Sequence, residues 1–202
     1  MMRQRTIASI VAIALGVVCI AQGGWIHAKA WLAQRLIERA WNESRRTGER
    51  VPPWPWADTY PIARLTLSSH AEPLYVLAGA SGAVLAFGPA HDASSVLPAD
   101  PGNSVISAHR DTHFDFLRHA RRGDVVTVER ASGLVGRFRI EDMRVVDSTR
   151  TRITLDGDVP RLTLVTCYPF DAIAPGGPLR YVVTAEWVGT TAAARPVALA
   201  RR

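Results

Sequence analysis

The sequence predicts an all-β domain behind an N-terminal membrane-spanning helix. From Ala63 onward the chain breaks into short apolar or alternating runs separated by turn residues, which is the pattern of strands. Its 15 Gly and 13 Pro supply the turns that such a domain needs, and a hydrophobic content of 48% argues against disorder. At 202 residues the chain accommodates one domain of about 150 residues plus an appendage, enough to bury a sizeable core.

Taken in order, Thr6 to Ile26 carries no charge, and at about 1.5 Å per residue it extends for roughly 30 Å, the thickness of a bilayer core. Arg3 and Arg5 precede it, so the positive-inside rule keeps the N-terminus cytoplasmic and sends the rest outward. Ala28-Lys29-Ala30 has the form of a signal-peptide cleavage site. An uncleaved anchor is favoured because the apolar run passes directly into an amphipathic helix, roughly Ala28 to Ser44, with Trp31, Leu32, Leu36 and Ala40 on one face. A charged linker follows to Arg50. The three prolines of Val51-Pro-Pro-Trp-Pro-Trp56 then impose an extended entry, with Trp54 and Trp56 expected to pack on the core.

The expected strands are Ala63 to Ser69, Leu74 to Ala78, Ala83 to Phe87, Ser104 to His109, Asp124 to Arg130, Gly136 to Glu141, Arg144 to Ser148, Arg161 to Cys167 and Leu179 to Val188. Short strands at this density make a sandwich or a closed barrel. Pro101-Gly102-Asn103 is a turn, and Phe114 to Ala120 makes one or two helical turns. The resulting organisation is a cytoplasmic N-terminus and anchor (1–27), a helix and Pro/Trp linker (28–62), a β-domain (63–190) and a mobile tail (191–202).

The formal net charge is +6, from 23 Arg, one Lys and 18 acidic residues. The arginines are scattered, with no aromatic-interleaved basic stripe, so nucleic acid is not an expected partner. Cys19 lies inside the apolar N-terminal run, which leaves Cys167 as the one thiol of the β-domain. In an oxidising compartment such a cysteine has no disulfide to form, and a reactive role becomes more prominent.

Cys167 ends the alternating run Arg161-Leu162-Thr163-Leu164-Val165-Thr166, and Pro169, which cannot donate to a sheet ladder, marks the strand's end. A thiol at a sheet rim has a rigid backbone behind it and open space in front, although an isolated free cysteine is more often a small buried hydrophobe. His109 follows the run Ser104 to Ala108, and Arg180 enters the strand after Cys167, where an antiparallel return would set it beside the sulfur. His91 is a loop histidine that either lines the same cleft or is simply solvated. His109-x-x-x-His113 with Asp111 has zinc-like composition, but it would share one face only on a helix; no metal and no cofactor are expected. Asp156 and Asp158 are read as solvated rather than calcium-binding.

Thr163-Leu-x-Thr-Cys167, with Ala108-His109-Arg110 upstream and Arg180 downstream, resembles the active-site pattern of sortases, the cysteine transpeptidases of bacterial surfaces. Pro55-Trp-Ala-Asp-Thr59, Ala86-Phe-Gly-Pro89, Pro101-Gly-Asn103 and His109-Arg-Asp-Thr-His-Phe114 look closest to the proteobacterial branch called class GN. The resemblance covers roughly Ala63 to Val188 and implies a closed barrel of about eight strands with short helices. It implies Cys167 as nucleophile, His109 as acid and base, and Arg180 as oxyanion and backbone ligand, with Thr166 and Ala108 beside the substrate. Where the family usually has Gly before the histidine, this chain has Ala108. The implied partners are a protein bearing an LPxTG-like sorting signal, an amine acceptor, and the inner membrane, with the domain facing the periplasm. Two other readings are an L,D-transpeptidase, whose Ser-x-Gly-Cys pattern is absent, and a non-catalytic tethered β-domain in which Cys167 would be buried.

Overall fold

The computed structural model describes residues 2–172, 174 and 176–192. By its internal contacts the chain divides into two compact units, one ending at Leu36 and one beginning at Ile37. Both draw on a single continuous helix, α1 (Met2–Thr47). In the first unit Ile13, Leu15, Val17 and Val18 are exposed, and an 18-residue window within Ile13–Thr47 has a mean hydropathy of 1.3. The helix is therefore long and apolar enough to cross a membrane.

The second unit is a closed eight-stranded barrel with the last turns of α1 packed on it. Its strands are β1 (Pro61–Leu67), β2 (His70–Ala78), β3 (Ala90–His91), β4 (Gly102–Ser107), β5 (Val125–Arg130), β6 (Leu134–Asp147), β7 (Pro160–Cys167) and β8 (Leu179–Ala192). They close in the order β1-β2-β3-β4-β7-β8-β6-β5. Neighbours are antiparallel except β2–β3 and β4–β7, which run parallel. Alternation sends Leu65, Ile106, Val128, Phe138, Ile140, Leu162, Leu164 and Val183 into one core, and these are essentially fully buried. The intervening residues face outward, and the candidate site lies on that outer face.

Four expectations need correcting. Ala83 to Phe87 is not a strand: helix α2 (Gly82–Leu85) stands there, its first turn capped by Ser81, whose side chain accepts from the Val84 N–H. The two strands expected around Gly136 to Ser148 are one, β6, whose pairing with β8 shifts register between Arg137 and Phe138 and again, by a bulge, between Ile140 and Asp142. The extra residue shifts the alternation by one, so that Ile140 and Met143 both meet the core, and in sequence this looks like a strand end. On α1 the buried residues are Ala33, Ile37, Ala40, Trp41 and Ser44: of the expected face Ala40 is buried and Leu36 half-buried, whereas Trp31 and Leu32 are exposed. Trp54 packs edge-on to Phe87 at 5.0 Å, whereas Trp56 is 83% exposed. The expected tail lies beyond the described residues from 193 onward, and β8 continues to Ala192.

Ile37 joins Leu77, Val84 and Ala90 in a second apolar cluster, and Trp41 packs at 6.2 Å against the Tyr75 ring. Glu129 on β5, itself buried, accepts from Arg45 on α1 and Arg64 on β1, so the helix end is tied to the barrel by charge as well as by apolar area. Helix α1 stops at Gly48, whose positive φ of 77° and N–H bond to the Ser44 carbonyl (2.9 Å) turn the chain away. Residues from Ile37 onward thus belong to the folded domain. Trp41→Ala is expected to lower its unfolding free energy by about 3–5 kcal/mol in urea titration; a loss below about 1 kcal/mol would mean that the helix end is only an appendage.

Candidate active site

The site is built where three neighbouring strands end. In β7, Arg161, Thr163, Val165 and Cys167 share the outward face, because Leu162 and Leu164 between them enter the core. Cys167 registers directly opposite Arg180 of β8. Directly opposed residues in an antiparallel pair project to the same side with Cα atoms about 4.5–5.5 Å apart. On the other flank, β4 pairs in parallel with β7 so that Ser107 registers with Val165, and the Ala108 N–H continues the ladder to the Val165 carbonyl at 3.1 Å. β4 ends at Ser107, so His109 does not lie on the strand as expected but two residues past it, on the segment that leaves β4 beside β7. Cys167 and Arg180 are half-buried and His109 is exposed, so all three positions are open to solvent. The expectation of a sealed thiol, which a non-catalytic domain would require, is not met.

The Arg180 guanidinium donates through Nη1 to the carbonyls of Gly177 (2.7 Å) and Leu179 (2.9 Å). Its other N–H groups have no acceptor among the described residues, so part of the donor fork remains unused. The His109 backbone carbonyl accepts from the Phe114 N–H at 3.0 Å, closing the turn that leads into a short 3-10 helix (Asp115–Arg118).

A groove of about 420 Å³ runs along the outer face of these strands; of the three residues Arg180 lines it, and Cys167 and His109 do not. It begins at Arg180 and Val165, the residues opposite and two before Cys167. Its floor is apolar at that end (Val146, Val165, Val182), hydroxylic further on (Thr163, Thr184) and charged at the far end (Arg161, Glu186). The loop 148–159 between β6 and β7 roofs it, with Thr151, Arg152, Ile153 and Thr154 lining the groove. The loop is launched from Asp147, which accepts from the Thr149 hydroxyl (2.7 Å) and N–H (2.8 Å); these bonds, the hydroxyl's first, hold the Asp147 carboxyl below the usual value.

Three residues expected beside the substrate stand elsewhere. Thr166 and Ala108 are buried and neither lines the groove. Instead the Thr166 hydroxyl donates to the Ala108 carbonyl at 2.8 Å and braces β7 to the segment carrying His109. His91, 5% exposed, is neither a cleft residue nor a solvated one. Its Nε2 lies 2.8 Å from the Val96 carbonyl, which can only accept, so that nitrogen carries the proton and the ring is part of the wall. Asp156 and Asp158 are exposed, and among the described residues no three His, Cys, Asp or Glu side chains converge as metal ligands.

Two residues that the sequence reading passed over also hold the site. Arg110, 8% exposed, reaches across to donate to the carbonyls of Ala172 (2.9 Å) and Ala174 (3.1 Å) after β7. Asn103, 5% exposed, bonds Thr163 and the roof. Their signal lay in motifs quoted for other reasons: Arg110 follows His109, and Asn103 closes the segment Pro101-Gly102-Asn103, which is not the expected turn but the entry to β4.

Comparison with known proteins gives a consistent outcome. A family model described as Sortase domain matches residues 65–188. Sortase D of Bacillus subtilis (strain 168) is 32% identical over 111 residues, 54% of this chain, and the chain spans about half the length of that relative (55%). A sortase D5 transpeptidase of Clostridium perfringens superposes with a TM-score of 0.62 at 20% identity, covering 78% of this chain and 99% of that one, a likeness of fold. The catalytic domain of B. anthracis SrtD superposes with a TM-score of 0.56 at 28% identity, covering 65% of this chain and 90% of that one.

Burial first, and then the charge of His109, hold the His113 imidazole below the ordinary histidine value of 6.5, against the opposing pull of Asp111. A base that takes up its proton less readily when folded stabilises the fold above its unfolded pKa, and that stability is lost as pH falls below 6.5. Wild-type protein should therefore lose more thermal stability than His113→Gln between about pH 7.5 and about pH 5.5. Equal losses would show that His113 is not the group responsible.

Proposed function

This chain belongs to the sortase family, and from that membership we propose that it is a membrane-anchored cysteine transpeptidase acting on an LPxTG-like sorting signal. What supports the reading is Cys167 registered opposite Arg180, which lines the groove, with His109 just past the end of the neighbouring strand β4. A cysteine is a nucleophile as its thiolate, and neighbouring cations favour that form. Cys167 Sγ attacks the carbonyl carbon of the signal's threonine. The donor fork of Arg180 receives the charge developing on the carbonyl oxygen. The C–N bond then breaks, His109 gives its proton to the departing amine, and an acyl thioester remains on Cys167. An incoming amine loses a proton to His109 and attacks the thioester; a new amide forms and the Cys167 thiolate is released.

The apolar length of α1 supports an anchor in the inner membrane, and Arg3 and Arg5 before it support a periplasmic catalytic domain. Placement in the class GN branch rests on the four sequence segments quoted for it. The substrate is a protein bearing the signal, and the acceptor is an amine.

The decisive experiment is intact-mass analysis of the protein incubated with sorting-signal peptides. A covalent acyl adduct on Cys167 is expected, absent in Cys167→Ala. His109→Ala and Arg180→Ala should each lower kcat/KM by about 10²–10³-fold. Normal turnover in any of the three variants, or an adduct that survives removal of the thiol, would contradict the assignment.

A further inference from the structure

The loop 148–159 that roofs the groove has no helix or strand of its own. A loop of this length does not hold one conformation unless something fixes its middle, since each ordered residue carries a conformational cost of about 1–2 kcal/mol. What fixes it comes from the start of β4. The Asn103 N–H donates to the Leu155 carbonyl at 2.8 Å, and Asn103 Nδ2 donates to the neighbouring Thr154 carbonyl at 2.9 Å. The side-chain oxygen accepts from the Thr163 hydroxyl at 2.9 Å, so one buried amide links β4, β7 and the roof through both its oxygen and its nitrogen.

Gly102 makes this approach possible. A side chain there would bring Cβ to 3.1 Å from the Leu155 carbonyl oxygen and 3.2 Å from Val96, at a φ of +110° that favours glycine. The pair therefore forms a seat. Glycine lets the loop lie against the strand, and Asn103, itself at the groove's edge, fastens it at Thr154, the last residue of the groove-lining stretch Thr151 to Thr154, and at Leu155 just beyond.

We infer that Asn103, seated by Gly102, is a positioning residue for peptide binding, which holds the roof in place before the peptide arrives. This rests on the sortase reading of the groove. A roof already ordered costs less to bind under than one that orders on contact, so the seat acts on affinity rather than on the chemical step. The reacting residues lie at the opposite end of β4, away from the seat.

The test compares wild-type protein with Asn103→Asp, Asn103→Ala and Gly102→Ala. Asn103→Asp is nearly isosteric and keeps the acceptor for Thr163, but it sets an oxygen against the Thr154 carbonyl, so it serves if the alanine variant fails to fold. Amides of residues 151–157 should exchange with deuterium roughly tenfold faster in each variant, with β7 and β8 unaffected. KM for the sorting peptide should rise roughly tenfold while kcat changes by less than about threefold, and iodoacetamide should alkylate Cys167 at the wild-type rate. Unchanged loop exchange in a folded variant, or a fall in kcat at constant KM, overturns the inference. If wild-type protein processes no peptide at all, the sortase reading fails instead, and the exchange measurement alone still decides whether Asn103 holds the roof.

Discussion

The parallel pairing of β4 with β7 is the constraint on which the rest of the site depends. Parallel neighbours cannot be joined by a tight turn, so the chain from Ala108 to Val159 makes a long crossover between them, and that crossover supplies β5 and β6 elsewhere in the barrel and the groove's roof. The pairing is braced at both ends by hydroxyls. Thr163 donates to Asn103 at one end and Thr166 to the Ala108 carbonyl at the other. The two threonines of Thr-Leu-x-Thr-Cys are thus cross-braces, and the cysteine is the residue they put in place. A buried hydroxyl with a partner contributes modestly, but the Ala108 carbonyl left without one would cost about 1–3 kcal/mol.

Alternation then decides what faces the solvent. Leu162 and Leu164 are fixed in the core, so Cys167 must lie outward with Val165 and Thr163, and the register passes that choice to Arg180 on β8 and His109 beyond β4. Cys167 and Arg180 face one another across β7 and β8, and His109 stands just past the end of β4. Arg180 is steadied by two carbonyls of its own loop. The proposed chemistry needs a substrate carbonyl delivered along the groove to Arg180 and on to the sulfur.

Much of this was legible in the sequence. The run ending at Cys167 announces a strand with one buried face, because β-branched residues alternate with leucine; Arg180 could be set beside it because antiparallel return is the shortest route back. The misreadings share a cause, which is that local pattern carries no tertiary information. Ala83 to Phe87 is apolar enough for a strand, and only the Ser81 cap and the packing of Val84 on Ile37 and Leu77 make it helical. The bulge at Glu141 imitates a strand end. His91 was indistinguishable from a loop histidine until Val96 was folded onto it. Asn103 looked like a turn residue, and its bonds to Thr154 and Thr163 join positions far apart in the chain.

If the brace between β7 and the His109 segment organises the site, it should be separable from folding. Thr166→Val keeps the volume and removes the hydroxyl, so the peptide turnover of a purified, cooperatively folding variant measures the brace directly. The account predicts a kcat/KM lower by about 10²-fold, the scale expected of a small displacement of a catalytic group. Wild-type turnover in the folded valine variant would contradict it.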